Sequence, residues 1–379
     1  MRQIDHPDAF GSSLSRRQLL RRGSAFAALA AMPGVLAACG SDSDEGGSTS
    51  TSTTAGAVTG TITMVNYEGW IGKSQVAGFK KKYPGTDVKQ VYGITLDSPS
   101  TITQIKQDQG QWDLALMGTL PGGQLTEAKA LAEFDPERVP NLKHMPQLAK
   151  TAFPWGIPMD YGRVAYGYRS DLVKEKPESW ADLWELAPKY DKKIVMLNGD
   201  TALFGAALKL HNLDGTSTAD GDLKRALASL KEIKPHVRAL LETDSAKPLI
   251  DGSAAFAVTY DYEVANAQKE NKDIVWVEPK EGTRAYMDGW APIVGTKNMD
   301  AVYAFMNYAL EPRVYADFVN TTGTAYFMEA ANPYIEPRIK NNTALAYNEE
   351  AVAALDIPKW GDPEGAKRRD RYWQEFLAS

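Results

Sequence analysis

Beyond residue 60 the chain switches repeatedly between two periodicities. Short runs rich in β-branched and aromatic residues, at 61–67, 87–93, 112–117, 163–169, 192–197, 254–260 and 274–278, predict strands. Between them, 74–83, 179–186, 201–212, 219–234, 262–271 and 299–310 place apolar residues at helical spacing. Strand and helix in alternation predict an α/β fold with mostly parallel sheets. Ser179 opens its helix as a hydroxyl N-cap with Asp182 three residues on, the pattern of a capping box. No period of 20–50 residues repeats, which excludes a solenoid.

The first 60 residues follow neither pattern. Ser15-Arg16-Arg17-Gln18-Leu19-Leu20-Arg21 precedes a run of small apolar residues from Ala25 to Ala38, a charged region followed by a hydrophobic one. Paired arginines in this setting resemble a twin-arginine export signal. Leu36-Ala37-Ala38-Cys39 resembles the lipobox of bacterial lipoproteins, which makes Cys39 the expected lipid attachment site and residues 1–38 a removable signal peptide. A membrane-spanning helix fits less well, because about 20 apolar residues are needed and Pro33 and Gly34 interrupt the run. From residue 39 to 60 the composition of Ser, Thr, Gly, Asp and Ala predicts a flexible tether.

Cys39 is the only cysteine in 379 residues, so the exported part has no disulfide and must rely on its core. The formal net charge is −6, and five arginines against two aspartates in residues 1–38 leave the remainder near −9. That balance argues against nucleic acid as a partner and suits a cationic solute.

Most enzyme signatures fail on inspection. Gly72-Lys73-Ser74 ends like a phosphate-binding loop, but the glycine the motif requires at position 67 is Tyr67. There is no G-x-S-x-G elbow and no H-E-x-x-H, and His6, His144, His211 and His236 are scattered. A pair of cleft carboxylates working as in glycosidases stays open as an alternative. What stands out is aromatic and acidic residues placed together at predicted strand ends, where α/β sheets present side chains to a crevice. Tyr67-Glu68 follows the first strand, Asp160-Tyr161 follows Ile157-Pro158, Tyr260-Asp261-Tyr262 closes another strand, and Tyr286-Met287-Asp288-Gly289-Trp290 sits in the last long apolar stretch. Ring faces attract an alkylammonium by about 0.5–2 kcal/mol each, and a carboxylate adds a charge-assisted hydrogen bond.

Four segments carry a resemblance: Ser179-Trp180-Ala181-Asp182-Leu183-Trp184, Lys234-Pro235-His236-Val237-Arg238-Ala239, Pro279-Lys280-Glu281-Gly282 with Tyr286-Met287-Asp288, and Asn307-Tyr308-Ala309-Leu310-Glu311-Pro312. From about Thr61 to Leu377 the chain resembles the spermidine/putrescine-binding proteins of bacterial ABC importers, within the periplasmic solute-binding proteins. The resemblance implies a two-lobed type II periplasmic-binding-protein fold with a central cleft and hinge crossings near Met159, Asp288 and Asn332. Lobe 1 would then hold 61–159 plus 289–331, and lobe 2 would hold 160–288 plus 332–379. It also implies a small cationic amine as ligand, an ABC permease as partner, a monomeric state, and neither cofactor nor metal nor catalysis.

Residue by residue, the resemblance puts Tyr286 and Asp288 at the ammonium-holding aromatic and acid, and Tyr67 and Tyr260 at two cage aromatics. An acidic pair at a helix start falls on Gly199 and Ala202, with Asp200 adjacent. Other polar positions fall on Gly118, Leu120 and Thr324. The expected ligand contacts are therefore Tyr67, Glu68, Thr119, Asp160, Asp200, Tyr260, Tyr286, Asp288 and Tyr326, with Glu68 and Asp160 as replacement charges. An amino-acid-like solute is the alternative within the same fold.

Overall fold

A computed structural model describes residues 58–96, 99–242, 244–342, 345, 356–358 and 361–379. The arginine pair, Cys39 and nearly all of the tether lie outside the described residues. The strands are β1 (Thr59–Val65), β2 (Gly85–Val91), β3 (Leu114–Gly118), β4 (Ile157–Arg169), β5 (Ile194–Leu197), β6 (Val237–Leu241), β7 (Phe256–Tyr260), β8 (Ile274–Val277) and β9 (Arg284–Pro292). They join one sheet in the order β2-β1-β3-β9-β4-β7-β5-β6, with β8 also on β4. Pairings of β1 with β2 and β3, and of β5 with β6 and β7, are parallel. Every antiparallel pairing involves β4 or β9.

Those two long strands link two lobes, each with its own core. One core gathers Ile62 and Met64 of β1, Leu114 and Leu116 of β3, Ile157, Met159 and Tyr161 of β4, and Phe305 and Phe318 from the helices Met299–Ala309 and Pro312–Thr322. The other takes Val164 and Tyr166 further along β4, with Ile194, Phe256, Leu203 and Leu230. Side chains of β4 thus change core between Tyr161 and Val164. At the chain's end Ile335, Ile339 and Ile357 pack in the first core, whereas Tyr372 and Phe376 pack in the second.

Local sequence explains the elements that hold the crossing in place. The register of β4 on β9 shifts between Pro158 and Asp160, and such irregularities re-aim side chains next to functional sites. Tyr315, fully buried, donates its hydroxyl to the Met159 carbonyl at 2.6 Å and accepts from the Phe327 amide at 3.2 Å. Trp290 of β9 stacks on Phe305 at 5.3 Å. The expected cap forms: Ser179 Oγ accepts from the Asp182 amide at 3.0 Å, and Asp182 accepts from the Glu178 amide at 2.8 Å. Among the described residues no helix is long and apolar enough to cross a membrane.

Candidate functional site

Four strands deliver charged and aromatic residues to one place. Asp160 lies just past the β4 irregularity and is the direct cross-strand partner of Asp288 on β9. Asp288 in turn faces Gly118 on β3. Directly opposed residues put their Cβ atoms about 4.5–5.5 Å apart on one face, so two carboxylates confront each other there, an arrangement that destabilises a sheet when both are charged. Gly118 keeps the third strand clear, since a Cβ at that position would stand 3.2 Å from Asp288 Oδ1.

The helix Asp261–Glu270 begins where β7 ends and adds a third carboxylate, Asp261, which like Asp160 is fully buried. Asp261 Oδ2 accepts from the Arg163 amide at 2.9 Å, and the Arg163 guanidinium stands 3.7 Å away. Asp160 Oδ2 accepts from the Trp70 indole at 3.2 Å, and Asp160 Oδ1 is buried with no hydrogen-bond partner. Burial pushes Asp288 and Asp261 up to about 7, Arg163 restraining the latter. Burial and then the Asp288 charge push Asp160 well above the carboxylate range, against the pull of Trp70.

Aromatic rings line the carboxylates. Tyr67 meets Trp70 at 6.4 Å, Trp70 meets Tyr262 edge-on at 5.2 Å, Tyr262 stacks on Tyr260 at 5.6 Å, and Tyr260 meets Tyr286 edge-on at 5.3 Å. Tyr67 and Trp70 follow β1, whereas Tyr260 ends β7 and Tyr262 lies in the helix after it, so the row of rings joins the two lobes. The Tyr286 hydroxyl is buried without a partner. Two orphaned polar atoms, one an acceptor and one able to accept or donate, therefore sit inside an acidic, ring-lined site. A guest with N–H donors and positive charge satisfies the acceptor and separates the two carboxylates. Among the described residues no three carboxylate, imidazole or thiol groups assemble as they would around a metal ion.

Of the residues expected from sequence, Asp160, Tyr260, Tyr286 and Asp288 come together here. Tyr67, 48 % exposed, reaches the site through Trp70, and Glu68 stands exposed on the turn beyond it. Thr119 is buried at the start of the helix Thr119–Glu127, one residue past Gly118. Tyr326 is buried and donates its hydroxyl to Asn332 Oδ1 at 2.7 Å. Asp200 lies elsewhere, on a second cavity, ion-paired with Arg369 at 2.8 Å. Trp70, Asp261 and Tyr262 are site residues that the sequence reading did not select. The Tyr260-Asp261-Tyr262 motif held two of them, but the helix starting at Asp261 turns residues 261 and 262 toward the site in a way that strand alternation does not suggest.

Residues 74–361 match the bacterial extracellular solute-binding proteins. This chain belongs to that family. Among related solute-binding proteins, the spermidine/putrescine-binding periplasmic protein of Escherichia coli is 23% identical over 84% of this chain and 92% of its own length. The putrescine-binding periplasmic protein PotF of the same organism is 25% identical over 83% of this chain and 90% of its own. The fold is shared with solved members: the spermidine/putrescine substrate-binding protein PotD of Streptococcus pneumoniae superposes with a TM-score of 0.74 at 20% identity, covering 84% of this chain and 98% of its own. The MotA protein of A. tumefaciens, solved with glucopine, superposes at 0.65 with 18% identity over 83% and 98%.

Proposed function

We propose that this solute-binding protein captures a small organic cation between its lobes and delivers it to the permease of an ABC importer. The observation that carries the reading is the Asp160–Asp288 pair: two carboxyl groups directly opposed on adjacent strands, Asp160 buried and Asp288 half-buried, with one acceptor oxygen left over. Such an arrangement lowers the stability of the empty protein and is relieved by a cation, so it supports a site built for a guest. Relatives named for spermidine and putrescine support an amine as that guest.

In this reading Asp288 and Asp160 anchor the ammonium, Tyr260, Tyr262, Tyr286 and Trp70 enclose its alkyl chain, and Tyr67 with Glu68 guards the rim. Lobe 1 spans 61–159 plus 289–331, lobe 2 spans 160–288, and β4 and β9 form the hinge. The expected assignment of all of 332–379 to lobe 2 is narrowed to the helix Pro363–Ala378, because Ile335, Ile339 and Ile357 pack in the first core. Closure is favoured only by contacts that improve when the lobes meet, and Trp70 bridging Asp160 and Tyr262 is such a contact. The protein acts as a monomer and performs no chemistry on the solute. Export by the twin-arginine route and acylation at Cys39 tether it to the outer face of the membrane, where the permease sits.

A thermal-shift panel of putrescine, spermidine, agmatine, amino acids and sugars tests this. A saturable rise in melting temperature with amines, following mass action, is expected. Stabilisation by sugars alone would reject the reading.

A further inference from the structure

Beside the ring-lined site lies a cavity of about 550 Å³. Leu120, Pro121 and Gln124 line it from one lobe, and Thr201, Arg284 and Arg369 from the other. Arg284 opens β9, two and four residues before Tyr286 and Asp288, and so shares their face of the strand. The α-carbons of Arg284 and Asp288 are then about 13 Å apart along the strand, which their side chains shorten. Tyr260 feels both charges: burial pushes its phenol up to about 12, Asp288 adds to the rise and Arg284 draws it down.

Only 8% of Arg284 is exposed, and among the described residues no acid stands within ion-pair distance of its guanidinium, which borders the cavity. Burial and the neighbouring Arg369 depress it to about 10, against the pull of Asp200, Tyr260 and Asp356, none of which bonds to it directly. The acids on the cavity wall each bond to another group, and Asp200 and Asp356 act on Arg284 only through space. Asp200 holds Arg369 at 2.8 Å, Asp356 holds Lys209 at 3.1 Å, Asp214 accepts from the Thr216 amide at 2.8 Å, and Asp362 caps the helix Pro363–Ala378. The helix Asp200–Leu210 also starts at this cavity, with Gly199 offering no side-chain cap. Its first amide groups and the unpaired guanidinium both favour an anionic group and disfavour a second ammonium.

We infer that the solute carries a carboxylate as well as its ammonium, and that Arg284 receives the carboxylate while Asp288 and Asp160 hold the ammonium. This rests on the cation-binding reading above and narrows it from amines in general to amino-carboxylates. Gly199 and Ala202 fit the same picture, because they leave the helix start without a free acid for the far end of a diamine.

Calorimetry on the full chain with two probe pairs, cadaverine against 5-aminopentanoate and agmatine against arginine, decides the matter. The wild-type protein is expected to bind the carboxylate-bearing member of at least one pair tenfold or more tightly than its partner. Arg284→Gln should remove that preference by weakening the carboxylate-bearing member tenfold or more relative to its partner. Arg284→Met, which deletes an unpaired buried charge, should raise the melting temperature of the empty protein, showing that the guanidinium serves the ligand and not the fold. Diamines binding tighter than both carboxylates, or Arg284→Gln weakening all four probes alike, overturns the carboxylate inference. Asp288→Asn separates the two claims: it should weaken every probe, and if it weakens none, the cation reading fails whatever Arg284 does. Binding of none of the four overturns both.

Discussion

Replacing Asp288 by Asn removes one charge of the opposed pair while keeping the shape of the side chain, and its two consequences carry opposite signs. With the Asp288 carboxyl pushed up to about 7 by burial, the charged form is disfavoured in the folded, empty protein. Moving a carboxyl from about 4 to about 7 corresponds to roughly 4 kcal/mol at pH above 7, an upper bound because Asp160 shares the effect. The variant should therefore be more stable than wild type at pH 8 when empty, by on the order of 1–4 kcal/mol. A cation loses a charge-assisted hydrogen bond worth about 1.5–3 kcal/mol, so its affinity should fall by about 10- to 150-fold. Thermal unfolding of the empty protein and calorimetric titration of the best amine read the two quantities separately. A variant that loses stability when empty and binds amines as before would show Asp288 to be structural and would refute the reasoning.

The acidic cluster also sets a pH dependence for the empty fold. Because Asp261 and Asp288 hold protons in the folded state up to about pH 7, whereas the unfolded chain releases them near 4, stability should decline as pH rises through that window; denaturant titrations at pH 5 and pH 8 check this, and Asp288→Asn should flatten the slope. Trp70→Phe removes the indole donor to Asp160 and should weaken amine binding about 3- to 10-fold, the value of a hydrogen bond net of solvent, as read by calorimetry. Ser179→Ala deletes the N-cap bond to the Asp182 amide and should cost about 1 kcal/mol in denaturant unfolding while leaving affinity untouched.

The elements with clean periodicity were legible in the sequence. The helices Asp220–Ile233 and Met299–Ala309 and the strand β7 fall where apolar spacing placed them, because each buries a single well-defined face. The edge strand β6 was not anticipated, for it is half-exposed along most of its length and shows no alternation. β9 was seen only as an apolar stretch, since it is covered on both sides over Gly289–Pro292 and carries its polar residues inward at Tyr286 and Asp288. Asp160 and Asp288 could be selected as acids beside aromatics, but their confrontation across two strands depends on register, which sequence alone does not supply. Trp70 was missed because its partner Asp160 lies 90 residues away. Arg284 offers no local sign that no acid bonds to it directly, a result of the ion pairs that Asp200 and Asp356 make with Arg369 and Lys209.

The central claim is that a positive guest takes the place of protons on the opposed carboxylates. Calorimetric titration of the tightest-binding amine at pH 6 in buffers of different ionisation enthalpy counts protons exchanged on binding. The account predicts net release, diminishing as the pH is raised above 7. Binding with no proton release, or binding of neutral and anionic solutes only, would contradict it.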